Sequence, residues 1–213
     1  MAKTVLQKEL SRLAKAERRF MKKQMEREPS KLDLFLEDKL PAKLEATLDA
    51  AFSKAFRLIF SKGSSIISKT FSTDKLIAEF EADSADLVEL GGGRQMRKFK
   101  SRASVTGTTH TVISAFTGAA LGFLGRAIPD IVVFMTLLLR NIYKIAMKYG
   151  YAFDTDEEKK FILRVIAAAV QEGDDMLQAD KAINYLIKAG ISTDDSTVDD
   201  RINDAAVALG KAI

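Results

Sequence analysis

The chain has 213 residues, 47% of them apolar and 29% charged, a balance that supports one large core or two small ones and excludes a disordered chain. It has no cysteine and a single histidine, His110, which excludes disulfides, thiolate zinc sites, a cysteine nucleophile and any site needing two histidines from one chain. The net charge of +4 is modest but polarised: residues 1–28 hold nine Lys/Arg against four Glu, residues 94–102 hold five bases and no acid, and residues 172–204 are rich in Asp.

No stretch alternates as a strand does, while apolar residues recur at helical spacing, so the expected class is all-α. The opening residues carry charges throughout and lack an apolar h-region, so they do not read as a secretory signal. Residues 4–28 read as a first helix, closed by Pro29. Its bases Lys8, Arg12, Lys15, Arg19 and Lys22 step by four, three, four and three, which places them on one face, with Leu6, Leu10, Leu13 and Phe20 opposite. Residues 31–39 form a short amphipathic piece. Pro41 suits a helix's first turn and opens a helix over 41–61, with Lys62 and Gly63 at its end. Ser72 or Thr73 can cap a short helix at 74–82. Residues 83–93 end in three glycines, costly to order, and are expected to be a flexible loop.

The next stretch is the most unusual. After the bases Arg94, Arg97, Lys98, Lys100 and Arg102, no charged side chain occurs from Ala103 to Gly125, and only Asp130 occurs between Pro129 and Leu139. Two apolar arms thus flank the break Gly125-Arg126-Ala127-Ile128-Pro129-Asp130, where proline disfavours helix at Ile128 and a carboxylate suits the next helix's start. The second arm is expected to run to about Lys148 and stop at Gly150, with one polar stripe of Thr136, Arg140, Lys144 and Lys148 and most of its remaining surface covered. A single helix spanning a bilayer needs about 20 apolar residues, and Arg126 and Asp130 near its middle would each cost about 2.5–3.5 kcal/mol. A helical hairpin, buried in protein or dipping into one leaflet, fits better. Within the first arm Gly118, Gly122 and Gly125 allow a close approach by another helix or by lipid. Thr155 to Glu158 reads as a capping box opening a helix to about Gln171. Two more helices follow near 174–189, closed by Gly190, and 196–211, capped by Asp195 or Ser196.

Motifs of catalysis are missing: there is no GxSxG, HExxH or Walker A sequence. His110, Asp130 and the pair Glu157 and Glu158 are the available acid–base groups. His110 and Asp130 fall at opposite ends of the first arm, roughly 20 Å apart at about 1.5 Å of rise per residue, which argues against a dyad. Neither a catalytic residue, a metal site nor a cofactor is therefore assigned. The basic residues are not interleaved with aromatics and show no nucleic-acid reading motif, so no nucleic-acid partner is expected.

The glycine-rich Gly118-Ala-Ala-Leu-Gly122-Phe-Leu-Gly125, the Pro129-Asp130 step with its leucine-rich helix, Lys148-Tyr149-Gly150-Tyr151 and Glu157-Glu158-Lys-Lys-Phe161-Ile162-Leu163 together resemble the EcsC family of bacterial proteins. The likeness is carried by roughly residues 107–163, and residues 1–40 do not share it. The resemblance implies a helical protein of membrane-associated character, the family being named for a protein encoded beside an ABC-transporter pair. It brings no established reaction and hence no catalytic residues.

These readings combine into one expectation: a basic segment at 1–40, then a single all-α domain over 41–213 built on a glycine-rich hairpin wrapped by amphipathic helices. The function expected is non-enzymatic association with an anionic membrane surface or a membrane protein, in the cytoplasm at the inner face of the cytoplasmic membrane. Lys8, Arg12, Lys15, Arg19, Lys22, Arg94, Arg97, Lys98, Lys100 and Arg102 would supply charge, and Gly118, Gly122 and Gly125 apolar docking. Homo-oligomerisation is compatible with this. The alternatives are a hydrolase with a site near Asp130 and Arg126, or a soluble helical interaction module.

Overall fold

The computed structural model describes residues 4–26, 42–61, 67, 69, 71–103 and 127–212. Among the described residues there are eight α-helices and no strand: α1 (Val5–Met25), α2 (Ala42–Ser61), α3 (Thr73–Glu89), α4 (Gly92–Ala103), α5 (Ala127–Lys148), α6 (Asp156–Ala169), α7 (Gly173–Ala189) and α8 (Val198–Lys211), with a 3-10 turn at Ile191–Thr193. The apolar periodicity explains what each buries. In α2, Leu48, Phe52, Ala55, Phe56 and Ile59 recur at three and four and are buried. In α5, Ile131, Met135, Leu139, Tyr143 and Met147 recur every four residues and form a single buried ridge. Ile162, Leu163 and Ile166 of α6 and Ile202, Ala205, Ala206 and Leu209 of α8 complete the core.

Packing follows a chain of neighbours. Helix α4 lies on α3, α3 on α5, α5 on α2, α2 on α8, α8 on α6, and α6 on α7. Helix α1 touches α4 and α7, the two ends of that series. Helix α1, which lies within the basic segment expected at 1–40, is thus in contact with both.

Several expectations change in detail. The loop expected over 83–93 is mostly helix: α3 continues to Glu89, only Leu90 and Gly91 form a turn, and α4 begins at Gly92. Ser84 to Glu89 are compatible with helix, and the glycines at 92 and 93 occupy the first positions of α4, where intrahelical N–H bonds are not required. Of the two cap candidates Ser72 caps α3, its side chain accepting from the Lys75 N–H, and Thr73 is the first residue of the helix. Helix α5 begins at Ala127, so Pro129 is its third residue and Asp130 its fourth; proline is tolerated there. Its covering is less complete than the sequence suggests, since Val133 and Leu137 are 59% and 49% exposed. The first arm, with His110, Gly118, Gly122, Gly125 and Arg126, lies outside the described residues. Thr155 caps α6 by accepting from the Glu158 N–H. The cap of α8 is Thr197, not Asp195 or Ser196, and with Asp200 it forms a full capping box.

One core group stands out. The Tyr143 ring stacks on Phe153 with centroids 4.4 Å apart, while its buried hydroxyl has no hydrogen-bond partner among the described residues. Burial, with Asp154 adding to it, pushes the phenol pKa above its ordinary value. A buried donor with no partner costs about 1–3 kcal/mol. Tyr143→Phe is therefore expected to raise stability by about 1 kcal/mol, read from the midpoint of a urea unfolding curve at constant slope.

Candidate functional site

The predicted basic residues of α1 form one exposed face. Lys8 and Lys15 have no ion-pair partner among the described residues; Arg19 bonds only to the Lys15 carbonyl, at 3.3 Å; and Lys22 lies 3.5 Å from Glu26. The opposite face differs from its sequence reading. Leu6, Glu9, Leu13, Glu17 and Phe20 step by three, four, four and three, so two carboxylates share the apolar stripe. Those carboxylates meet the body. Glu9 pairs with Lys100 of α4, and Glu17 accepts from the Asn184 amide of α7 at 3.4 Å. The Lys100 ammonium holds the Glu9 carboxyl below the ordinary carboxylate range. The apolar members of the stripe pack loosely, since Leu6, Leu13 and Phe20 remain 55–58% exposed.

The second predicted cluster divides in two. In α4, Lys100 is engaged with Glu9, and Lys98 lies 2.8 Å from Asp86 of α3, so both tie helices together. Arg94 and Arg97 are exposed, with no ion-pair partner among the described residues. Arg102 lies in α4 and its side chain is outside the description. The apolar side of α4 docks through Phe99, which meets Phe80 of α3 and Tyr149 edge-on with centroids 6.3 and 5.8 Å away. Arg94 and Arg97 therefore face outward, because the aromatic side of α4 is committed to the body. The structure brings α1 and α4 together through Glu9 and Lys100, which joins two clusters that the sequence kept apart.

Other candidates are occupied elsewhere. On the polar stripe of α5, Thr136 donates to the Val132 carbonyl at 2.7 Å, and the Lys144 ammonium sits 5.8 Å above the Phe71 ring. Burial, with Arg140 and Lys148 adding repulsion, lowers the Lys144 pKa. The carboxyl of Glu158 is raised, by burial first and then by Asp154 and Glu157. Among the described residues no group of three acids or histidines is placed to hold a metal ion.

Sequence reasoning missed one polar centre. Asp194, counted only within an acidic stretch, is buried with a 4% exposed side chain. Its carboxylate accepts from Arg164 of α6 at 2.6 Å and from the Ser196 hydroxyl at 2.6 Å, and lies 3.6 Å from Arg201 of α8. Arg201 also donates to the Ser196 hydroxyl at 2.6 Å, and the buried Lys160 ammonium donates to the Asp194 carbonyl at 2.5 Å. The signals were present as Lys160 and Arg164 one turn apart and as an Asp two residues before a Ser, a turn-forming spacing. Beside it opens a groove of about 720 Å³ lined by Arg57, Phe60, Lys160, Ser196, Asp199 and Ile202. Its Arg57 is paired with Asp199 at 3.1 Å and bonded to Asn203 at 3.0 Å, so this base is already committed. The centre ties α6, the 3-10 turn and α8 together.

A model of the EcsC protein family matches residues 7–207. The chain belongs to the EcsC family. The match is far longer than the glycine-rich and Lys-Tyr-Gly-Tyr stretch that carries the likeness by eye, and it takes in most of α1, which that likeness left out. No curated protein and no solved structure matches the chain. In this EcsC chain no helix among the described residues is long and apolar enough to cross a membrane.

Proposed function

We propose that this EcsC protein associates with an anionic membrane surface, or with a membrane protein lying in it, through the outer basic face of α1. The observation that carries this is the division of charge on that helix. Within Val5–Met25 there are seven Lys/Arg and two Glu. Both Glu turn to the body, leaving the outward face basic. Each such base is worth about 1 kcal/mol beside an anionic leaflet and is screened by salt. The same charge opposes self-association through this face and favours an acidic surface. The uncharged stretch around Gly118, Gly122 and Gly125 would add a salt-insensitive apolar contact, supported by its sequence and by small residues that permit close approach.

The test is neutralisation. Lys8→Gln, Lys15→Gln and Arg19→Gln combined are expected to lower partition onto phosphatidylserine-containing vesicles by about a hundredfold at low salt and to flatten its salt dependence. Unchanged partition would sink the assignment of this face.

A further inference from the structure

We infer that α1 meets the lipid surface in its docked position, and that Arg94 and Arg97 of α4 extend its basic face into one continuous cationic plate. This rests on the membrane reading above and deepens it. An amphipathic helix that leaves its protein for a bilayer buries its apolar face in the headgroup and acyl boundary, where a carboxylate on that face is costly. The stripe of α1 carries Glu9 and Glu17 among Leu6, Leu13 and Phe20, and lipid would have to accept both carboxylates. On the protein those carboxylates already have Lys100 and Asn184 as partners.

The geometry of the plate follows from helical neighbours. Arg94, Arg97 and Lys100 are three residues apart in turn and form one ridge of α4. Lys100 crosses to Glu9, and Glu9 lies 3.9 Å from Arg12, one turn along α1. The strip thus runs from Arg94 and Arg97, over the Lys100–Glu9 bridge, to Arg12 and the rest of the α1 face. Arg94 and Arg97 are exposed and make no ion pair among the described residues, so their charge is available to phosphate groups.

Two measurements on the full chain test this, with vesicles of phosphatidylserine and phosphatidylcholine. Arg94→Gln with Arg97→Gln is expected to lower partition roughly tenfold or more while α1 is untouched, and Arg97→Gln alone by about fivefold, with thermal midpoints read alongside. Since the chain lacks cysteine, Leu13→Cys can carry a single polarity-sensitive fluorophore. That probe is expected to keep its emission on vesicle binding and to escape quenching by brominated acyl chains. If wild type binds but the arginine variants differ from it by less than about twofold, the plate is wrong. If the Leu13 probe is quenched from the hydrocarbon, α1 leaves its seat and the inference is overturned. If wild type itself remains in the supernatant, the membrane reading fails with it.

Discussion

Asp194→Ala is expected to cost about 3 kcal/mol of folding stability, the largest loss for any single polar side chain described above. The carboxylate is buried, and its removal leaves Arg164 and the Ser196 hydroxyl without their acceptor between α6 and α8. Arg164 and Arg201 keep 25% and 20% exposure, so water recovers part of the deficit and the cost sits at the low end for a broken buried pair. The pH dependence has a definite sign. The hydrogen bond from Arg164, helped by Ser196, holds the Asp194 carboxyl well below its usual range against the opposing effect of burial. Its contribution is complete above the unfolded carboxyl pKa of about 4 and is lost as pH falls from there through the folded value. Urea unfolding of wild type and Asp194→Asn should therefore converge on acidification below about pH 4. A difference under about 1 kcal/mol at pH 7, or a gap that widens in acid, would refute this account of the centre.

Gly150→Ala is expected to cost about 2–4 kcal/mol. Gly150 ends α5 with φ +78, a conformation that an L side chain enters only with strain, and an added Cβ would run into the Phe80 ring of α3. Phe80 cannot withdraw freely, because it meets Phe99, which in turn meets Tyr149. Gly173→Ala separates the two effects. Gly173 has φ +56 and open space around its would-be Cβ, so it reports backbone strain alone, about 1 kcal/mol. Equal losses at the two glycines would show that the Phe80 contact is soft.

The sequence was most legible where period and punctuation agree. The course of α5 to Lys148, the stop at Gly150, the cap at Thr155 and a cap at Ser72 or Thr73 all follow from local chemistry. Over 83–93 the three glycines favour a loop by their backbone entropy, but the helix-compatible residues before them carry α3 to Glu89. The candidate site was half legible. Spacing identified the outward bases of α1, but not that Glu9 and Glu17 face the body, since their partners Lys100 and Asn184 are distant in sequence. For the same reason Lys98 and Lys100 could not be told from Arg94 and Arg97, and Asp194 could not be told from the exposed acids around it. Such distinctions arise from tertiary contacts, which no local pattern encodes.

The proposed role of the outward basic face of α1, to hold this EcsC protein at an anionic membrane surface, has a simple consequence in solution. Co-sedimentation of the intact chain with vesicles of varied phosphatidylserine content, over a range of salt, reads that consequence. Sedimentation is expected with anionic vesicles at low salt, most of it lost as the Debye length falls from about 30 Å at 0.01 M to about 8 Å at 0.15 M, with little binding to neutral vesicles. An intact, folded chain that stays in the supernatant with anionic vesicles at low salt would contradict it.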